Sequence, residues 1–122
     1  MNPELPKYLT DIIIAIEDIE SFVLRNGRKY EIFLNDKMFR MAVEREIGII
    51  GEALNQALKI DSDLPITDAR KIGGTRNYII HAYDSLRPDM LWAIVIKELP
   101  ILKDEIKAIL ASQWEDGFVI YL

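Results

Sequence analysis

The chain has 122 residues, half of them apolar and 29% charged, a balance that supports one globular domain over residues 1–122 and excludes a disordered polar tract. Fifteen Lys and Arg against twenty Asp and Glu give a net charge of −5, which argues against a protein living by non-specific phosphate contacts. There is no cysteine, so disulfides and thiolate metal centres are excluded.

In chain order, the opening MNPELPKYLTDIIIAIEDIE has no basic leader before an apolar block, and its apolar run is short and flanked by acids. Neither a signal peptide nor a membrane span is expected, and a cytoplasmic location is the default. Leu9, Ile12, Ile13, Ile16, Ile19 and Val23 fall on one helical stripe, with Asp11, Glu17, Asp18 and Glu20 turned away from it. Asn26-Gly27 suits a left-handed stop to that helix. KYEIFLND reads as extended chain or loop. Asp36 or Asn35 then caps a long second helix, on which Phe39, Val43, Ile47, Ile50, Leu54 and Leu58 recur at helical spacing to about Lys59. Gly48 and Gly51 on that helix are expected to mark close approach of another backbone.

DSDLP breaks the pattern. A third helical region, with Thr67 as its cap, carries Ala69, Ile72, Ile79 and Ile80, and Gly73-Gly74 weakens it by roughly 1 kcal/mol per glycine. Pro88 is well placed as the first residue of a fourth helix, continued by Leu91, Ile94, Val95, Leu99, Leu102, Ile106 and Ile109. Pro100 cannot donate to the helix ladder, so that helix is expected to kink or split near Leu99. No strand alternation and no internal repeat is visible. The fold class expected is all-α, an up-and-down bundle of four or five helices. The terminal GFVIYL is apolar enough that docking on its own bundle or on a partner chain is expected.

The stretch GTRNYIIHAYDS, residues 74–85, holds the single histidine. If it is helical, Asn77 and His81 lie one turn apart, and Arg76 and Tyr83 share an adjacent stripe. Arg70, Lys71, Arg76 and Arg87 against Asp84 make a small basic patch, which fits either an anionic ligand or a solvated face. Imidazole transfers protons in both directions near neutral pH, and a guanidinium offers a planar fork of donors to a phosphate. That set suits metal-free cleavage of a phosphodiester whose own 2′-hydroxyl is the nucleophile, with Arg stabilising the charge on the phosphate. Against it stands the plainer reading, a structural His81 on a helix and a half-buried Tyr83 at its end. There is no second histidine, so an acid/base pair needs another residue type or a second subunit. Nucleotide-loop, zinc-protease and calcium-loop motifs are absent, and Glu44, Glu46 and Glu52 combine with no x-x-His as a di-iron bundle would require.

RNYIIHAY resembles the Arg-x4-His-x-Tyr signature of HepT-like ribonucleases, a branch of the HEPN superfamily. AVEREIGIIGEAL is similar to the family's helix block ending in Ile-Gly-Glu-Ala, and KIGGTRNYIIHAYDSLRPDMLWAIVIKELPILKDEIKAIL follows its later half nearly throughout. The similarity runs from about Phe33 to Leu110. Thr75 stands where a methionine is usual, and LPITDARKI lacks the tryptophan common after the proline. The resemblance implies a small helical bundle that forms two-fold dimers, with the Arg and His of both protomers lining one cleft. It implies a metal-independent RNase without cofactor, the toxin of a toxin–antitoxin pair. The implied antitoxin is a minimal nucleotidyltransferase, which in some systems adds AMP to the tyrosine of His-x-Tyr. Carried onto this sequence, Arg76 and His81 are the catalytic candidates, Asn77 a supporting residue and Tyr83 the modified one. Glu52 is either a second residue behind Arg76 or His81 or an ordinary surface glutamate. The alternative function is a non-catalytic module that binds nucleotide or protein and partners a nucleotidyltransferase.

Overall fold

The computed structural model describes residues 2–67 and 87–113, and among them the chain is helical, without strands. Helix α1 spans Glu4–Asn26, α2 Tyr30–Asn35 and α3 Lys37–Ile60; α4 spans Pro88–Ala93 and, after a π-helical turn at Ile94–Glu98, α5 spans Leu99–Gln113. The all-α bundle expected from the periodicity is the observed class.

Helix α1 begins where the Asn2 side chain accepts the Glu4 N–H at 2.8 Å. It ends at Gly27, whose φ of +109° is open only to glycine in practice and whose N–H closes the last turn on the Val23 carbonyl. Its stripe Leu9, Ile12, Ile13, Ile16 and Ile19 is buried, with Val23 packed at the margin. Asp36 caps α3 by accepting the Phe39 N–H at 3.1 Å, while the Asn35 amide donates instead to the Glu31 carbonyl. Phe39, Val43, Ile47, Ile50 and Leu54 of α3 are buried against α1. The two helices run antiparallel: Glu46 pairs with Asp18, and Tyr8 and Asp11 lie beside Glu52 and Ala53.

One expectation needs correction. KYEIFLND is not extended: its core is the short helix α2, held by a cluster of three rings. Phe33 is fully buried, its ring 5.1 Å from that of Phe39 and 5.0 Å from that of Trp92. Arg40 on α3 donates to the carbonyls of both Phe33 and Leu34, satisfying the end of α2 that six residues cannot satisfy alone. The close approach expected at Gly48 is not made by any neighbour among the described residues. Gly51 is buried, but a Cβ at Gly48 would meet nothing within 4 Å, so packing among the described residues does not ask for glycine there.

Pro88 opens α4 as its first residue, the position where a missing N–H costs nothing. The split expected near Leu99 takes a definite form. Leu99 donates to the carbonyl of Ile94, five residues back, and the α-helix resumes through Pro100. The wider turn absorbs the hydrogen bond that the proline ring removes. Leu91, Ile94, Val95, Leu99, Leu102, Ile106 and Ile109 stay on the buried side through the bulge. Lys103 clamps α5 to α1 through Glu20 at 2.8 Å and Glu17 at 3.7 Å, with its own side chain 19% exposed. No helix among the described residues is long and apolar enough to cross a membrane. The third helical region and the terminal GFVIYL lie outside the described residues.

Candidate active site

Arg76, Asn77, His81 and Tyr83 also lie outside the described residues, so the structure fixes the frame from which their segment is hung rather than the site itself. The segment leaves the core after Leu64, which is buried, and Ile66, which packs against the core. At Thr67 it is tied to α5. The Glu105 carboxylate accepts the Thr67 N–H at 3.1 and 3.2 Å and the Thr67 hydroxyl at 2.7 Å. A charged acceptor serving two donors makes these stronger than neutral hydrogen bonds, though their exposure discounts them. The chain re-enters the described part at Arg87, where the guanidinium grips Asp89 at 3.0 and 3.2 Å. One of the four cations in the basic stretch is therefore already engaged by a carboxylate.

Glu52 projects from α3, half-buried, and its Oε1 accepts from the Gln56 amide at 3.1 Å. It lines an open groove of about 380 Å³ between α1 and α3, together with Tyr8, Asp11, Arg45, Gly48, Ile49 and Ala53. Nearby carboxyls titrate abnormally. Partial burial pushes Glu46 up to about 7, helped by its hydrogen bond to Asp18 and by that residue's charge, with Arg45 pulling the other way. Glu44 is also raised by burial, against the opposing pull of Arg40. Among the described residues no three His, Asp or Glu side chains gather as metal ligands would.

Two features of this frame were missed in the sequence. The Glu105–Thr67 tie spans 38 positions and leaves no local signal. The groove of Arg45, Gly48 and Glu52 carries one, a helix-interior glycine between opposite charges, which was read only as a mark of close approach by another backbone.

Comparison with known proteins adds what the frame cannot. The chain is 37% identical over 100 residues to the "Probable ribonuclease HepT" of Thermococcus cleftensis, covering 79% of this chain and 86% of that one. It is 32% identical over 110 residues to "Putative RNase MJ1380" of Methanocaldococcus jannaschii, covering 87% of this chain and 96% of that one. No solved structure matches it. The family model described as ribonuclease HepT-like matches residues 12–109, which include α3 with Glu52 and the whole Arg-x4-His-x-Tyr stretch. The chain belongs to the HepT-like ribonuclease family.

Proposed function

We propose that the protein is a metal-independent endoribonuclease, the toxin of a pair whose antitoxin is a minimal nucleotidyltransferase, and that it works as a homodimer. The observation that carries this reading is the family match across residues 12–109, which takes in Arg76 and His81 with the helix blocks around them.

In this reading His81 in its neutral form accepts the proton of an RNA 2′-hydroxyl. The 2′-oxygen forms a bond to phosphorus, the bond from phosphorus to the 5′-oxygen breaks, and the leaving oxygen takes up a proton. Arg76 holds the non-bridging oxygens, whose charge grows in the transition state, and Asn77 orients the imidazole or the substrate. The chain has one histidine. Proton uptake by the leaving group therefore draws on another residue type or on the second protomer's His81, which is the chemical reason for a two-copy site.

AMP esterified to Tyr83 would add phosphate charge and bulk two residues from His81. It would compete for Arg76 and obstruct RNA, silencing the enzyme. Purified protein should cleave RNA in the presence of EDTA, and His81→Ala should lower the rate by roughly 10²–10⁴. Co-expression with a cognate minimal nucleotidyltransferase should add the mass of AMP at Tyr83. RNA left intact by wild type, with partner binding that depends on Arg76, would instead establish the non-catalytic binding module.

A further inference from the structure

Helix α3 has two faces. The core face carries Phe39, Val43, Ile47, Ile50, Leu54 and Ala57, all buried. Diametrically opposite, within about a 100° arc, lie Met38, Met41, Arg45, Gly48, Ile49, Glu52, Gln56 and Lys59. Large apolar side chains are exposed on this outer face: Met38 is 82% exposed, Met41 57% and Ile49 38%. At its centre is Gly48, beyond whose missing Cβ there is open space and no neighbour within 4 Å. A glycine in mid-helix weakens the helix, and no neighbour among the described residues repays it.

The charges on this face have an internal symmetry. A two-fold axis through the midpoint of Gly48 and Ile49 relates two antiparallel copies of α3 so that residue numbers facing each other sum to 97. Arg45 then faces Glu52, Met41 faces Gln56, Met38 faces Lys59, and Gly48 faces Ile49. Cation meets carboxylate twice, methionine packs along the stem of a lysine, and the exposed isoleucine falls where the glycine leaves room. The groove beside Gly48 holds Asp11 as well as Glu52, so an arginine entering it meets two carboxylates. A parallel arrangement would instead set Arg45 against Arg45.

We propose that this face is the homodimer interface: two copies of the chain cross at Gly48 with their α3 helices antiparallel, Arg45 of each paired with the partner's Glu52. This rests on the two-copy reading of the site and adds the surface that makes it.

The experiment is sedimentation velocity of the full chain over a concentration series, with circular dichroism as a check of fold. Wild type should be a dimer at micromolar concentration. Gly48→Leu, which has free space within its own protomer, should keep its helicity and weaken the dimer at least ten-fold. Arg45→Glu should do the same by setting carboxylate against carboxylate, and the double variant Arg45→Glu/Glu52→Arg should recover wild-type dimerisation. A dimer indifferent to Gly48→Leu and Arg45→Glu, or a double variant without recovery, overturns this surface and leaves the two-copy reading standing. A wild type that stays monomeric at 100 µM overturns both.

Discussion

The ring cluster around Phe33 gives the sharpest test of the fold, because it holds a helix that local periodicity does not reveal. Phe33 is 0% exposed and sits 5.1 Å from Phe39 and 5.0 Å from Trp92, centroid to centroid. Truncating it to alanine removes the transfer energy of a whole ring and leaves a cavity bounded by α3 and α4. The cost for such a site is about 3–5 kcal/mol. A chain of this length has a total stability of roughly 6–18 kcal/mol, so a third of it or more is at stake in a marginal case. Phe33→Leu keeps most of the apolar volume and loses the two ring pairs, so a smaller cost of about 1–3 kcal/mol is expected. Urea unfolding followed by circular dichroism at one fixed protein concentration measures both, and the slope against urea should stay near wild type. A loss under about 1.5 kcal/mol for Phe33→Ala, with unchanged slope, would refute the claim that α2 is locked by its buried ring.

Two further substitutions probe named contacts. At Gly27, with φ at +109°, an alanine is strained and its Cβ would lie 2.8 Å from Ile32 Cδ1, so Gly27→Ala should cost about 1–3 kcal/mol in the same assay. Glu46 is held up at about 7 in the folded protein against an ordinary 4.5, so the folded state binds more protons than the unfolded state between those values. Stability from its neutral form, which hydrogen-bonds Asp18, is full below pH 4.5 and is lost as pH rises toward 7. Glu46→Gln should therefore flatten the fall in melting temperature between pH 5 and pH 8; an unchanged fall would remove Glu46 as its cause.

Much of the bundle was legible because its long helices bury simple stripes. Every residue from Leu9 to Ile19 on the α1 stripe, and from Leu91 to Ile109 on the last one, is buried as the 3.6-residue period demands. Caps were legible for a related reason: Asp36, Gly27 and Pro88 act through their own backbone or one turn of it. Six residues of α2 carry too little periodicity to announce a helix, and Phe33 and Trp92 meet across 59 positions. The break before Pro100 could be foreseen, but its π-helical form depends on keeping Val95 and Leu99 on one buried side. The family was legible in a different way. A lone histidine on a helix says little, whereas the blocks around it, in order and at the right spacing, identify the family.

The central claim is that Arg76 and His81 cleave RNA, and it is tested most directly by single-turnover cleavage of a labelled RNA in EDTA. Wild type should cut, leaving the cyclic phosphate that attack by a 2′-hydroxyl produces. His81→Ala and Arg76→Ala should each lose activity by roughly two orders of magnitude or more while retaining wild-type helicity and dimerisation. Cleavage at the wild-type rate by His81→Ala, or an RNA left intact by wild type, would contradict the account.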